Sequence, residues 1–68
     1  MGLCYEVTAR SGLRLRTGPG TNFEIITTLP KDTRVSIGKQ QGDWAEVDIE
    51  GDGYIDGWVF YSYLRPIC

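Results

Sequence analysis

The chain has 68 residues, with seven Lys or Arg, nine Asp or Glu, no His and a net charge of −2 at pH 7. This length suits one small domain, which we expect to span residues 1–68, and the slight acidic excess argues against a nucleic-acid binder. No apolar run approaches the roughly 18 residues of a membrane span, so none is expected. Met1-Gly2-Leu3-Cys4 has neither the basic start nor the apolar stretch of a signal peptide.

Segments in which apolar and polar residues alternate predict short β-strands. In Leu13-Arg14-Leu15-Arg16 the leucines are expected to face inward and the arginines outward. In Trp44–Ile49 the odd-numbered residues are apolar and expected to face the core, whereas Glu46 and Asp48 are expected to point outward. Strands are predicted near residues 4–9, 13–17, 25–29, 33–40, 44–50 and 55–60, followed by a 3₁₀ turn at 61–63 and a short last strand.

Turn-forming residues separate the predicted strands. Thr17–Asn22 is a loop rich in Gly and Pro, and Pro30–Asp32 is a short turn. Gln41–Asp43 and Glu50–Gly53 are predicted hairpin connections, the second with its reversal at Asp52-Gly53. Five to six short strands at this spacing predict an all-β fold, and a small barrel in particular, because closing a sheet removes exposed strand edges.

Four segments, in the right order, resemble the bacterial SH3-like (SH3b) domain family. They are Leu13–Phe23 (LRLRTGPGTNF), Ile26–Leu29 with Thr33–Val35, Asp43–Val47, and Gly57–Val59 with Tyr63-Leu64. The resemblance covers about residues 10–65, and it departs at Asp32, where the family often has Gly, and at Thr17, where it often has Ser. It implies an SH3-like barrel with a single 3₁₀ turn.

Members of this family commonly occur as accessory modules of cell-wall hydrolases and other exported bacterial proteins. The resemblance therefore implies a non-catalytic binding or targeting module that recognises peptidoglycan or a short peptide. It also implies a location in the periplasm, the cell wall or the medium, as part of a larger protein. The alternatives are a protein–protein or intramolecular interaction domain, or a structural spacer, with no cell-wall affinity.

Aromatic residues supply the candidate binding surface. Gly57–Leu64 is also similar to the ending of eukaryotic relatives, which implies that Phe60 and Tyr63 help to build a peptide groove together with Trp44. Alternation along the predicted strand supports exposure of Trp44. The candidate ligand-binding residues are Trp44, Tyr63, Phe60, Phe23 and Asn22, with Ser62 and nearby acids orienting the ligand. In the alternative interpretation, Phe60 and Trp58 cover the barrel mouth beneath the 18–22 loop, the role that we favour for Trp58.

Other chemistry has little support in the sequence. No His is available as a base for a Cys or Ser nucleophile, so we expect neither an enzyme nor a cofactor. Gly18-Pro19-Gly20 lacks the Gly-Lys-Ser/Thr ending of a phosphate-binding loop and is predicted to be a turn. Arg16 beside it is expected to bind loop carbonyls or an acidic neighbour rather than a ligand carboxylate.

Metal binding and disulfide formation are the remaining questions. Two cysteines without His amount to half a zinc site, so no zinc is expected. The acids of Asp48–Asp56 match several positions of a calcium loop, but Val59 occupies the position of the bidentate Glu, and a solvated hairpin explains the same residues. Cys4 and Cys68 either form a disulfide, closing a loop of about 65 residues, or remain two free thiols.

Overall fold

A computed structural model describes residues 4–51 and 53–68, and within this part the chain forms seven β-strands and one 3₁₀ turn. The strands are β1 (Tyr5–Val7), β2 (Leu13–Arg16), β3 (Ile25–Leu29), β4 (Arg34–Gln41), β5 (Trp44–Asp48), β6 (Gly57–Phe60) and β7 (Leu64–Pro66), and the 3₁₀ turn is Tyr61–Tyr63. The predicted all-β fold is confirmed. In the described residues no helix has the length and apolar character needed to cross a membrane.

The strands form one antiparallel sheet in the order β3-β2-β6-β5-β4-β1-β7. Strand β1 lies between β4 and the C-terminal strand β7 and pairs with both. Every strand contributes to one buried cluster, so the sheet curls around a common centre as a small barrel. The cluster consists of Val7, Leu13, Leu15, Leu29, Val35, Val47, Val59 and Leu64.

The alternation read from the sequence identifies most of the core. Leu13 and Leu15 are buried while Arg14 is exposed, and Val47 is completely buried. Ile49 lies beyond the end of β5 and is only half-buried. Asp48 alternates with Val47 along β5, on the predicted outward face, but it is only 5% exposed. Its position is explained by the loop that follows it.

The predicted turns connect the strands with backbone conformations that the sequence favours. Gly42, between β4 and β5, has a φ of +61°, in the left-handed region that favours glycine. At 30–33 the Thr33 amide donates to the Pro30 carbonyl at 3.2 Å, and Asp32 has a φ of +74°. Asp52, at the predicted reversal of the second hairpin, lies outside the described residues.

The two ends of the described chain meet. Cys4 and Cys68 form a disulfide, with their Cα atoms 5.0 Å apart, which decides between the two alternatives left by the sequence. Next to it the Ile67 amide donates to the Cys4 carbonyl at 2.8 Å. The Arg65 guanidinium donates to the Glu6 carboxylate at 2.7 Å, across the β1–β7 pair. Covalent, backbone and ionic contacts therefore all join the first strand to the last at this seam.

Candidate functional site

Three aromatic side chains follow one another on the outer surface of the barrel. Trp44 of β5 pairs with Phe60 of β6, and their ring centroids lie 5.5 Å apart at an interplanar angle of 81°. The Phe60 and Tyr63 centroids are 5.8 Å apart at 45°. Both distances and the edge-on or tilted geometries are typical of favourable aromatic pairs. We call Trp44, Phe60 and Tyr63 the aromatic row.

The outward direction of the row follows from strand alternation. Ala45 pairs with Val59 in the register next to Trp44 and Phe60, and both of these small apolar side chains are completely buried. Because successive residues of a strand point to opposite faces, the flanking rings point away from the core. Trp44 and Phe60 are half-buried against each other, and Tyr63 is 48% exposed. The row therefore presents ring surface to solvent at one end.

Backbone hydrogen bonds hold the 3₁₀ turn that carries Tyr63. The Tyr61 amide donates to the Asp43 carbonyl at 2.8 Å, which ties the turn to the β4–β5 hairpin. The Thr8 amide donates to the Tyr63 carbonyl at 2.8 Å, which ties it to the segment after β1. The site is thus positioned by three separate parts of the chain.

Tyr61 points to another tyrosine rather than into the row. Its ring centroid lies 6.3 Å from that of Tyr5 in β1, at an interplanar angle of 56°. The pKa of Tyr5 is raised above its ordinary value. The largest cause is a side-chain hydrogen bond with Tyr61, followed by the electrostatic interaction with Tyr61 and then by desolvation. Tyr61 therefore fastens the 3₁₀ turn to β1.

Phe23 and Asn22 lie apart from the aromatic row. Among the described residues the Phe23 ring has no ring contact, and it packs on Gly18, where a Cβ atom would lie 2.4 Å from Phe23 Cδ1. Arg16 pairs with Trp58, and strands β2 and β6 run in opposite directions. Since Phe60 follows Trp58 along β6, the chain that follows Arg16 runs away from Phe60. The structure thus brings three of the five predicted residues together and leaves two on a separate loop.

Arg16 holds that loop in place. Its Nη1 donates to the Thr21 carbonyl at 2.9 Å and to the Phe23 carbonyl at 3.0 Å. A guanidinium suits this role because it carries several donors in a fixed plane. The expectation that Arg16 binds loop carbonyls is confirmed.

Trp58 also lies on the outer face. It pairs with Glu46 on one side and with Arg16 on the other, and it is half-buried. It occupies the same face as Phe60, two residues along the strand. The sequence reasoning did not select it as a site residue, although its period-2 spacing from Phe60 predicts this shared face.

Asp48 organises the loop between β5 and β6. Its Oδ1 accepts hydrogen bonds from the amides of Glu50 at 3.1 Å and Gly51 at 2.9 Å. Its Oδ2 accepts from the Gly53 amide at 2.8 Å. A short acidic side chain commonly satisfies backbone donors in this way where a strand turns into a loop. The loop that donates these hydrogen bonds covers the carboxylate, which explains its burial.

A second carboxylate closes the same loop. Asp56 Oδ2 accepts from the Ile49 amide at 2.7 Å. Within residues 4–51 and 53–68 there is no group of three or more His, Cys, Asp or Glu side chains arranged to hold a metal ion. Asp52, one of the acids of the calcium-like spacing, lies outside these residues. Asp48 and Asp56 act as acceptors for backbone amides.

Tyr63, at the exposed end of the row, also lines a surface cleft of about 490 Å³. The cleft lies between the 9–12 turn and strands β2 and β3, and its wall includes Arg10, Ser11 and Arg14. Sequence reasoning missed these arginines as site residues. The exposure of Arg14 followed from alternation, but its proximity to Tyr63 depends on how the sheet curls.

Comparisons with known proteins agree with this architecture. The family described as "Bacterial SH3 domain" matches residues 11–65. The chain is 31% identical over 52 residues to the Bacillus subtilis (strain 168) protein named "Putative N-acetylmuramoyl-L-alanine amidase YrvJ", a match that covers 76% of this chain and 10% of that protein. It is 46% identical over 35 residues to "Uncharacterized protein YraI" of the same organism, covering 48% of this chain and 29% of that protein. No solved structure matches the chain significantly.

These relatives are much longer than the matched region. The chain spans about a tenth of the amidase and less than a third of the second relative. The similarity to the amidase covers its SH3 part and not a catalytic domain, so it points to a binding-type module. The barrel, its single 3₁₀ turn and the family match over most of the sequence lead to the same assignment. The chain belongs to the bacterial SH3 domain family.

Proposed function

We propose that this domain is a non-catalytic targeting module that binds peptidoglycan or a short peptide of the cell wall through the aromatic row. The observation that carries the proposal is the contact between Trp44, Phe60 and Tyr63 on the outer face, with Tyr63 48% exposed. Rings that are fixed by one another lose little conformational freedom on binding, so their exposed faces are effective contact surfaces.

The relative named as an N-acetylmuramoyl-L-alanine amidase supports the choice of ligand. That name denotes action on the bond between a muramic acid sugar and a peptide, the linkage that defines peptidoglycan. A binding module in such a protein would keep its catalytic part near this polymer. We extend this role to the present domain.

Export as part of a larger protein is included in the proposal. The disulfide between Cys4 and Cys68 is a bond that persists in oxidising compartments outside the cytoplasm. The two relatives place their matched regions within much longer proteins. The first observation supports export, and the second supports a larger parent protein.

Phe23 and Asn22 are proposed as a second contact, on the loop held by Arg16. Phe23 is 41% exposed, and Asn22 beside it is exposed. Because this loop extends away from the aromatic row, a ligand that touches both must be long, as a polymer strand is. A short ligand would use the row alone.

A protein partner is the second candidate, and the edge of the sheet favours it. Strand β3 pairs with β2 on one side and lies at the end of the strand order. It carries two exposed isoleucines, Ile25 and Ile26. An apolar edge strand can accept a strand from a partner or from another part of the same protein.

Sedimentation with purified peptidoglycan sacculi tests the proposal. We expect the wild-type domain to sediment with sacculi and Trp44→Ala/Tyr63→Ala to lose at least about tenfold in affinity, as truncation of central aromatic anchors commonly does. Tyr54→Ala is the matched control, because Tyr54 is 77% exposed and outside the row. Phe23→Ala reports separately on the second contact. Circular dichroism confirms that each variant is folded.

The possible outcomes separate the candidates. If the wild-type domain stays in the supernatant, the cell-wall function is wrong. If it sediments and the double variant sediments equally well, binding occurs at another surface. Loss of binding to a protein partner on Ile26→Lys, with no sedimentation of the wild type, would favour the edge-strand candidate.

A further inference from the structure

The cleft beside Tyr63 is basic, in a domain whose net charge is negative. Two arginines, Arg10 and Arg14, contribute to its lining, together with the hydroxyl-bearing residues Ser11, Thr28 and Tyr63. Among the residues that the structure describes, no acidic side chain contributes to the lining of the cleft. Its chemistry therefore differs from that of the 48–56 loop, where Asp48 and Asp56 accept hydrogen bonds from backbone amides.

Within residues 4–51 and 53–68, neither arginine forms an ion pair with a carboxylate. The ion pairs among the described residues are Lys31 with Asp32 and Arg65 with Glu6. Arg10 and Arg14 are both exposed. This contrasts with Arg16, whose guanidinium donates to two loop carbonyls. Two guanidinium groups at one cleft are therefore available to an external anion.

The turn that carries Arg10 has a fixed geometry. The Gly12 amide donates to the Ala9 carbonyl at 3.0 Å, which closes a tight turn around Arg10 and Ser11. Gly12 has a φ of +92°, and a Cβ atom there would lie 2.7 Å from Thr28 Cγ2. The turn is thus held close against β3, on the opposite wall of the cleft. This arrangement positions the start of the Arg10 side chain before any ligand arrives.

We infer that this cleft receives a carboxylate of the peptide ligand, while the apolar part of the same ligand lies on the aromatic row. The inference rests on the proposed function, and it specifies the ligand as a peptide with a free carboxyl group next to an apolar or ring-bearing segment. Tyr63 belongs to both surfaces, so the two contacts are continuous. A guanidinium donates two parallel hydrogen bonds to a carboxylate, which gives direction as well as attraction.

The test uses soluble muropeptides, which are peptidoglycan fragments with peptide carboxyl groups, and the same preparation after amidation of those groups. We expect isothermal titration calorimetry to show that the wild-type domain binds the free-acid form roughly tenfold more tightly, the size of a charge-assisted contact. Arg10→Gln/Arg14→Gln should bind the two forms with equal affinity. Raising the salt concentration should reduce the wild-type preference, because these contacts are at the surface.

A control variant separates a specific contact from net charge. Arg34→Gln/Lys39→Gln lowers the charge by the same amount at two exposed residues outside the cleft, and it should keep the preference for the free-acid form. Trp44→Ala/Tyr63→Ala should weaken binding of both forms. Equal wild-type affinity for the two forms would overturn the carboxylate site and leave the proposed function intact. Failure of the wild type to bind sacculi or either preparation would overturn the proposed function itself.

Discussion

The Asp48 side chain stabilises the 49–53 loop through three backbone amides. These donors would have no comparable acceptor after Asp48→Ala, and the residue is only 5% exposed. We expect this substitution to lower the free energy of unfolding by about 2–4 kcal/mol, because hydrogen bonds to charged groups are strong and unsatisfied donors are costly. Urea denaturation followed by tryptophan fluorescence measures the change.

Glu50→Ala is the control for this prediction. Glu50 is exposed, and it contributes its backbone amide rather than its side chain to the Asp48 contact. Its substitution should change the free energy of unfolding by less than about 0.5 kcal/mol. Similar effects of the two substitutions would show that the Asp48 carboxylate has no special role.

Contact between Gly18 and Phe23 leads to a second residue-scale prediction. Because a Cβ at Gly18 would overlap the Phe23 ring, Gly18→Ala must displace the ring or the loop. We expect a loss of about 1–3 kcal/mol in the free energy of unfolding, as for other overpacked positions. In the Phe23→Ala background the same glycine substitution should cost much less. Thermal or urea denaturation of all four proteins measures this coupling.

The residues show where sequence reasoning succeeds and where it stops. Val47 and Leu15 were predicted to face the core from alternation, and the structure confirms both. Alternation did not reveal the burial of Asp48, because β5 ends there and the loop that follows donates hydrogen bonds to its side chain. The separation of Phe23 from the aromatic row was also outside the reach of local patterns, since it depends on strand order.

Among the strands, burial rather than composition determines sensitivity to substitution. Val47 of β5 is completely buried, and Ile26 of β3 is 52% exposed. We expect Val47→Ala to reduce the free energy of unfolding by about 2 kcal/mol, through lost apolar contacts and a residual cavity. Ile26→Ala removes more atoms than Val47→Ala does, but it should reduce the free energy of unfolding less, because the Ile26 side chain is largely exposed. A larger effect at Ile26 would mean that β3 packs against something outside the described barrel.

Most strand positions could be predicted because turns and alternation are local. The 3₁₀ turn at Tyr61–Tyr63 and the strand after it are confirmed, and β3 has the predicted limits. Register shifts in β2, between Leu15 and Arg16, and in β4, between Ile37 and Gln40, could not be predicted. They reflect how each strand fits its partner as the sheet curls, and no pattern within one strand contains that information.

The link between β1 and the 3₁₀ turn leads to a prediction at high pH. The pKa of Tyr5 is raised, chiefly by its hydrogen bond with Tyr61, so the folded state holds this proton more tightly than the unfolded state does. The corresponding contribution to stability is complete below the unfolded pKa and is lost as pH rises through the folded pKa. Tyr61→Phe should lower the Tyr5 pKa, which titration of tyrosinate absorbance measures. An unchanged titration would contradict the assigned contact.

For the molecule as a whole, the disulfide is the strongest single constraint on the unfolded chain. It joins residues separated by 64 positions. On the chain-entropy model, closing a loop of this length stabilises the fold by ~4 kcal/mol. A domain of this size has a total stability of only roughly 3–10 kcal/mol. We therefore expect reduction, or Cys4→Ser/Cys68→Ser, to leave the fold marginally stable.

Urea denaturation with and without a reducing agent measures this effect. The double serine variant should give the same midpoint in both conditions, whereas the wild type should shift to lower urea on reduction. Mass spectrometry before and after reduction establishes the bond itself. An unshifted wild-type midpoint would show that the pairing of β1 with β7 holds the two terminal strands together without the disulfide.

The seam between the two ends also governs how the domain would respond to tension. Cys4 and Cys68 are covalently linked, with Cα atoms 5.0 Å apart. If a longer polypeptide were pulled from both sides, the load would pass through the sulfur–sulfur bond and bypass the strands between. The barrel would lie beside the stretched chain without unfolding, and its outer surface would keep its shape under load.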